Sequence, residues 1–532
     1  MQTSGHHSRP SMVNKRFCQS VRKLEAYSPQ LCQTLNPFGS CNKSSNGYAY
    51  PIHISQDQDQ DRYCTLESSL LSTYNSPSTV TFSPNESSLS HQESQSGVAE
   101  GSPISGLDLA EDVCELKHKL KELESAMLGP EPDSGENSLP SAAVETETWR
   151  RAMIPVPRGD LKQVLVACAM AVSDNNILGV QWLMSELRQV VSVSGEPIQR
   201  LGAYMLEGLV ARVSASGSSI YKSLKLREPA GFELLSYMHT LYEICPYLKF
   251  GYMAANGAIA EAMKDESEVH IIDFQIGQGS QWIPLIQAFA ARPTGPPQIR
   301  ITGLDDFTSA YERGGGLSIV GKRLSKIAEA FKVPFEFHAA TFSNTRFHST
   351  GLGIRPGEAV AVNFAFVLHR VPDESVTTDN RRDHLLRAVK GLRPKVVTLV
   401  ERELNANTAA FYPRFREALE YYAAVFESID AALPRGERAR MDVEQHCLAR
   451  EVVNVIACEG AERVERHEPL GKWRSRLRMA GFEQSPMSSM VNGTIRGLLR
   501  DKYCGKYRVE ERDGALYLGW LNAHLVASSA WK

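Results

Sequence analysis

The stretch from Val269 to Trp282, VHIIDFQIGQGSQW, restricts the folds that this chain can adopt. Its first five residues have the composition of a buried strand, and Asp273 stands where that strand ends. Gly277 and Gly279 follow, and the apolar segment from Gln281 to Ala291 predicts a helix. A strand, a turn with glycines and a helix start form the ligand crevice of an open parallel sheet. The stretch therefore predicts an α/β fold with a crevice beside Asp273.

Strands and helices continue to alternate after this stretch. The sequence predicts strands at residues 298–306, 334–338, 359–366 and 395–401, and helices at 319–331 and 381–390. Longer helices are predicted at 409–432 and 443–458. Five apolar strands separated by helices indicate a mostly parallel sheet with right-handed crossovers.

The end of the chain changes character. Asp513-Gly514 lies between the strand-like runs YRVEER and ALYLGW, which is a strong signal for a hairpin. Leu525 to Trp531 predicts one further strand. The parallel sheet is therefore expected to finish in antiparallel strands, a known mixed layout.

The region before the first strand is helical in pattern, and it predicts a helical cap mainly over residues 160–262. The α/β core is expected at 263–532, so the folded region covers 149–532. Residues 1–105 are rich in serine and polar amides and predict a disordered segment, because they offer too little apolar surface to bury. Residues 106–129 predict a short amphipathic helix, either docked on its own domain or binding a partner, and 130–148 a linker.

Charge and composition exclude several classes of function. The net charge of −3 gives the chain no general attraction to nucleic acid or to an acidic membrane. No apolar run reaches the roughly 18 residues that a membrane span needs. The ten cysteines are scattered, without a CxxC pair, which favours free thiols in a reducing compartment.

The crevice beside Asp273 lies where class I methyltransferases hold S-adenosylmethionine. If a pocket persists, Asp273, Gly277, Gly279 and Asp305, or its neighbour Asp306, would line it. His369 falls where some plant O-methyltransferases place a base. The bulky sequence FQI after Asp273, and Gln281 and Trp282 at the helix start, depart from that pattern. We therefore expect an inherited methyltransferase-like, Rossmann-type sheet that serves as a binding platform, with no catalytic residue and no bound cofactor.

Two further clusters of polar residues are candidate sites. His446, Cys447, Cys458 and His467 lack the close spacing of metal ligands, so no metal site is predicted. The second cluster is basic and consists of Lys472, Arg474, Arg476 and Arg478. It predicts a helix face with ion pairs inside the domain rather than a DNA-binding surface, because no wider basic stripe accompanies it.

Taken together, the motifs of the folded region resemble the plant GRAS family of transcriptional regulators. The VHIID motif of that family is present at Val269, His270, Ile271, Ile272 and Asp273. The remaining matches are Pro413, Phe415, Arg450, Glu451, the RVER element at Arg463–Arg466, Trp473, Gly481, Trp520, Ser529, Ala530 and Trp531. Stretches such as YCTLESS and RGDLKQVL resemble the branch of phytochrome-A-signalling Scarecrow-like and chitin-inducible gibberellin-responsive proteins.

The resemblance implies a non-enzymatic regulator of transcription that acts as a scaffold in light, gibberellin or defence signalling. Its implied partners are transcription factors, including zinc-finger proteins, and other GRAS chains, with contacts on Leu161 to Phe347. It implies mostly indirect contact with DNA, no membrane association, a homodimer or heterodimer, and location in the nucleus, with the cytoplasm open as a second location. An active methyltransferase and a direct DNA-binding factor are the two alternatives. Trp282, Trp473, Trp520 and Trp531 are expected to anchor packing.

Overall fold

The computed structural model describes residues 160–214, 231–305, 316–341 and 349–532. The segments predicted at 1–105, 106–129 and 130–148 lie outside these residues. In these described ranges the first strand is preceded by five helices: α1 Leu161–Ser173, α2 Ile177–Val190, α3 Pro197–Val213, α4 Gly231–Ile244 and α5 Tyr247–Ala262. Local chemistry fixes their starts. Asp160 caps α1 by accepting from the N–H of Lys162 at 3.0 Å, and Pro197 opens α3 with a backbone angle preset for a helix.

The predicted sheet is present and nine strands of the described residues build it. These are β1 Glu268–Asp273, β2 Gln298–Asp305, β3 Phe335–Thr341, β4 Ala359–Ala365, β5 Val396–Arg402, β6 Gln484–Ser485, β7 Tyr507–Arg512, β8 Ala515–Trp520 and β9 Ala523–Trp531. Their order is β3-β2-β1-β4-β5-β9-β8-β7, and β6 pairs with β9. Strands β1 to β5 run parallel, whereas β9 is antiparallel to β5. The predicted fold class, a mostly parallel methyltransferase-like α/β sheet that ends in antiparallel strands, is confirmed.

The sheet buries an apolar core on each of its faces. Val269 and Ile271 of β1 belong to the first core. Ile272, the next residue, belongs to the second, because successive side chains of a strand point to opposite faces. Because both faces are covered at the centre of the sheet, β1, β4 and β5 are buried along nearly their whole length. The remaining helices are α6 Trp282–Ala290, α7 Leu317–Ala330, α8 Arg381–Gly391, α9 Phe411–Asp430, α10 Arg438–Val443, α11 Ala449–Ala457, α12 Leu470–Met479 and α13 Ser489–Lys502.

The helical layer draws on both halves of the chain. Helices α9 and α11 pack against α3, whereas α5, inside the range predicted as cap, packs on strands β5 and β9. Gly208 of α3 permits the close approach of α11, since a Cβ there would lie 3.0 Å from the side chain of Ile456. The sequence predicts a cap mainly at 160–262, but the structure completes that layer with helices that follow β5. Apolar periodicity marks a helix face without revealing which distant helix covers it.

One predicted helix is interrupted. The helix expected at 443–458 is observed as α10, a π-helical turn at Glu444–Leu448, and α11. Glu444 in that turn is fully buried and its carboxylate accepts from Arg200 of α3 at 3.0 Å. This pairing joins residues far apart in sequence, so local periodicity could not reveal the turn. Within the described ranges, no helix combines the length and hydropathy needed to span a membrane.

Candidate functional site

The predicted crevice lies where strands β1, β4 and β5 end. Asp273 closes β1 and is opposite Asn363 of β4, and Asn363 is opposite Thr398 of β5. All three side chains are buried. Parallel strands bring their carboxyl ends to one edge, so these three polar groups meet there although they are far apart in sequence.

Hydrogen bonds from within the protein surround the carboxylate of Asp273. The indole Nε1 of Trp282 donates to it at 2.8 Å, the amide of Asn363 donates at 3.0 Å, and the backbone N–H of Gln275 donates at 3.2 Å. Burial raises the pKa of Asp273 to about 6, against the effect of these three donors. Trp282, at the first position of α6, is fully buried, and its ring therefore fills the space beside the carboxylate.

A ladder of side-chain amides continues from this carboxylate. Gln281 donates to the side-chain oxygen of Asn256 at 3.2 Å and to that of Asn363 at 3.3 Å. The hydroxyl of Thr398 donates to Asn363 at 2.9 Å. These groups are all buried and join α5, the start of α6, β4 and β5. The polar atoms of the crevice are thus bonded to one another, an arrangement that fits S-adenosylmethionine poorly because a ligand would have to displace these bonds.

The other predicted crevice residues have separate roles. Gly277 and Gly279 both adopt a positive φ, +51° and +72°, and a Cβ on Gly279 would lie 3.0 Å from Val320 of α7. Gly279 therefore permits close packing of α7. Asp305 ends β2 opposite Thr341 of β3, so it does not share the register of Asp273, which is opposite Gly303. Asp306 lies outside the described residues.

The histidine of the VHIID motif lies on the opposite side of β1 from Ile271 and serves a buried ion pair. Its Nε2 lies 2.7 Å from the Thr302 hydroxyl and its Nδ1 lies 3.0 Å from Arg300. Arg300 also pairs with Glu358. Burial, and then the positive charge of Arg300, lower the pKa of His270 to about 4. A neutral His270 accepts from Arg300 and thereby helps to hold this pair within the second core.

His369 lies in a short 3₁₀ turn, Leu368–Arg370, that follows β4. Glu401 of β5 fixes this turn: one carboxylate oxygen accepts from the backbone N–H of Leu368 at 2.7 Å. The other oxygen lies 2.8 Å from Nδ1 of His369. Burial opposes protonation of His369, but the neighbouring carboxylates of Glu401 and Glu465 outweigh it, and the pKa of His369 is raised. The position predicted for a base therefore holds an imidazole clamped between two carboxylates.

Residues of two family motifs meet beside His369. Nε2 of His369 lies 3.1 Å from Glu465 of the RVER element, and the ring stacks on His467 with centroids 4.2 Å apart. His467 in turn lies 3.4 Å from Glu451, which accepts from the hydroxyl of Tyr422. Sequence reasoning missed this cluster because its members come from four separate segments. The candidate metal ligands His446, Cys447, Cys458 and His467 do not form one group. His446 stacks on Tyr237, and Cys458 lies in a small apolar cluster.

Most of the remaining family-motif residues lie in the interior. Phe415 of α9, Trp473 of α12, Trp520 of β8 and the segment Ser529–Trp531 of β9 are buried, whereas Pro413 is exposed. Arg450 adjoins Glu451 in α11, half-buried. Gly481 follows α12 with a φ of +90°. These positions therefore define how the domain packs.

The basic cluster of α12 is engaged inside the domain. Arg476 is buried and pairs with Asp373 at 3.1 Å and with Glu468 at 3.1 Å. Lys472 donates to Asn405 at 2.9 Å, and Arg474 donates to Gln484 at 3.0 Å. Arg478 is exposed. The predicted ion pairs within the domain are present. They neutralise positive charge that a DNA-binding face would need for contacts with phosphates.

A groove of about 750 Å³ opens on the helical layer. Its walls are formed by α1 to α3 together with the start of α9 and the region after α11, and they include Val172, Val180, Arg212, Phe411 and Glu459. Ile177 and Val213 also line it, although their side chains are 69% and 51% exposed. Large apolar side chains with this exposure beside a concave surface are typical of a protein-binding site.

The fold and the crevice define a methyltransferase-like α/β domain with a helical layer. Residues 161–532 match the GRAS domain family, and the chain belongs to that family. It is 58% identical to the Scarecrow-like transcription factor PAT1 of Arabidopsis thaliana, over 90% of this chain and 95% of that protein. It is also 58% identical to the chitin-inducible gibberellin-responsive protein 2 of Oryza sativa subsp. japonica, over 86% and 85%.

A crystal structure of SCL7 from Oryza sativa supports the fold. The two chains are 32% identical, and the match covers 70% of this chain and 100% of the SCL7 chain with a TM-score of 0.64. The identities to PAT1 and to the chitin-inducible gibberellin-responsive protein confirm the predicted resemblance to the phytochrome-A-signalling and gibberellin-responsive branch. The family and the names of the relatives support a role in the regulation of transcription.

Proposed function

We propose that this protein is a non-enzymatic transcriptional co-regulator, a scaffold that binds transcription factors and other GRAS chains in the nucleus. The observation that carries the proposal is the closed hydrogen bonding of Asp273, whose carboxylate accepts from Trp282, Asn363 and Gln275. A methyl donor at this crevice would have to replace these internal bonds. The two relatives named for gibberellin response and for transcription support plant signalling as the context.

The helical layer is the surface on which we place the partners. The groove between α1, α2, α3 and α9 lies partly within the range Leu161 to Phe347, where the resemblance implies partner contacts, and Ile177 and Val213 project from its walls. We propose that a transcription factor inserts an apolar anchor here, flanked by the ion pair of Arg212 and Glu459, 2.8 Å apart. An interface of this kind concentrates its binding energy in a few buried apolar contacts. DNA is then reached through the partner.

The groove predicts a surface variant that loses partners without losing the fold. Ile177→Asp combined with Val213→Asp is expected to reduce recovery of transcription factors from plant nuclei by at least about tenfold, since each loss of 1.4 kcal/mol is tenfold. Immunoprecipitation of the full chain followed by mass spectrometry measures this recovery. Met479→Asp is the matched control, because Met479 is 70% exposed on α12, a helix that does not line the groove. If the unaltered chain recovers no transcription factor above a mock sample, the proposed function is wrong.

The crevice predicts no useful affinity for a methyl donor. Titration calorimetry of the purified chain with S-adenosylmethionine is expected to give no saturable heat at about 1 mM ligand, because binding must break the bonds of a buried carboxylate. A methyltransferase of the same sheet topology, titrated in the same buffer, serves as the positive control. A dissociation constant in the micromolar range would instead favour the enzymatic alternative.

A further inference from the structure

The cluster around His467 has the composition of a metal site. Glu451, Glu465 and His467 each offer one ligand atom, and these atoms lie within 4.8 Å of one another. The three side chains are buried. Imidazole nitrogen and carboxylate oxygen are ligands that Zn²⁺ takes in proteins. The three residues come from α11 and from the segment before α12, which explains why no spacing in the sequence indicates them.

His467 supplies an observation independent of the acidic residues. Its side chain is completely buried, and among the described residues neither ring nitrogen has a hydrogen-bond partner, nor does Oε2 of Glu465. Nε2 lies 3.3 Å from Glu465 and 3.4 Å from Glu451, at angles that do not make hydrogen bonds. A buried polar group without a partner costs free energy, and a cation between these side chains would satisfy Nε2 of His467 and Oε2 of Glu465 together.

The distances agree with a tetrahedral ion. Ligands held at about 2.0–2.2 Å from Zn²⁺ stand roughly 3.3–3.6 Å apart at the corners of a tetrahedron. The separations of 3.3 Å and 3.4 Å from His467 Nε2 to the two carboxylates fall in this range. Ordinary ion pairs and hydrogen bonds of a histidine are shorter and better aligned.

His369 lies beside these three residues as a neighbour of the ion rather than as a ligand. Its ring stacks on His467 with centroids 4.2 Å apart and planes inclined by 25°, so the in-plane lone pairs of the two rings do not converge on one ion. Its Nε2 lies 3.1 Å from the same oxygen of Glu465, and Glu401 holds its Nδ1 at 2.8 Å. We propose that His467, Glu451 and Glu465 form a binding site for one Zn²⁺, with the fourth position of the ion open to water.

Two arginines pair with the carboxylates of the proposed site, and the ion would have to replace them. Arg402 pairs with Glu451, and Arg370 lies 3.4 Å from Glu465. Their side chains are 25% and 40% exposed, so both can turn toward solvent when the cation arrives. The ion would link α11 to the segment before α12, and its effect would be to stabilise the packing of these elements.

Metal analysis of the full chain tests the proposal. Elemental analysis after addition of Zn²⁺ and desalting is expected to give roughly one zinc per chain, and a chelator is expected to remove it and lower the melting temperature. His467→Gln should lose the bound zinc. His446→Gln, which alters a histidine stacked on Tyr237 outside the cluster, should keep it.

The competing outcomes are distinct. A chain that holds no zinc after addition of Zn²⁺ overturns the proposal. Equal zinc in the unaltered chain and in His467→Gln overturns it as well, because the metal then lies elsewhere. If His467→Gln does not fold, Co²⁺ added to the unaltered chain decides: tetrahedral absorption bands support the site, and their absence overturns it. None of these results depends on recovery of transcription factors.

Discussion

Replacement of Arg476 by methionine is expected to lower the free energy of unfolding by about 3–5 kcal/mol. Arg476 pairs with Asp373, Glu374, Asp383 and Glu468. Of these carboxylates, Asp373 and Glu468 are buried, and without Arg476 they would share the single positive charge of Arg382, together with hydrogen bonds from Asn407. A buried carboxylate that loses its partner keeps the cost of leaving water, and the missing attraction no longer offsets it.

The effect of this substitution depends on pH in a defined direction. Although burial opposes it, hydrogen bonds from Ser375 and the charge of Arg382 lower the pKa of Asp373. The stability that the ionised group contributes is present above the ordinary pKa of an aspartate and is lost as the pH falls through the lowered value. The deficit of the variant should therefore be largest near neutral pH and shrink in acid.

Denaturant titration followed by tryptophan fluorescence measures this deficit. Arg478→Met is the control, because Arg478 lies two residues further along the same helix and is exposed. Its free energy of unfolding should change by no more than about 0.5 kcal/mol. Equal stability of the two variants would show that the carboxylates around Arg476 find other partners.

Trp531→Ala is expected to destabilise the domain by about 3–5 kcal/mol. Trp531 is completely buried in the second core. Its strand, β9, lies in the middle of the sheet, where Trp531 is opposite Val397 of β5 and Gln484 of β6. Removal of the ring leaves a cavity that the central strands cannot close, since each is fixed by neighbours on both sides.

The melting temperature of the full chain measures this loss. Met479→Ala removes a large apolar side chain that is 70% exposed, and it should leave the melting temperature nearly unchanged. An unaltered melting temperature for Trp531→Ala would contradict the structural role assigned to this residue. A large effect of the control would mean that the exposed face of α12 is covered in solution.

Local chemistry explains the parts of the fold that the sequence predicted well. Apolar runs of strand length predicted the parallel strands, because a strand covered on both faces is mostly apolar. Asp513 and Gly514 adopt φ angles of +52° and +72°, as a two-residue hairpin turn requires, and β7 pairs with β8 across them. These features depend on residues that are adjacent in the chain.

The missed elements depend on distant partners. The π-turn at Glu444–Leu448 accompanies the ion pairs of Glu444 with Arg200 and Arg440. Helix α13 was not predicted, and its buried face is set by the strand and helix it packs on, β7 and α5. The basic cluster of α12 is uniform in sequence, yet the structure divides it into a buried Arg476 and an exposed Arg478. Such differences arise only when the acidic partners have been brought together.

The sequence by itself determined the α/β class, the position of the crevice beside Asp273 and the family, because these depend on local periodicity and on motifs that are contiguous in the chain. Only the tertiary structure decided that the indole of Trp282 and the amide of Asn363 bond to Asp273, and that His369, Glu451, Glu465 and His467 form one buried cluster. The physical reason is that a polar side chain inside a protein is defined by the partner it meets, and parallel strands bring those partners together from remote parts of the chain.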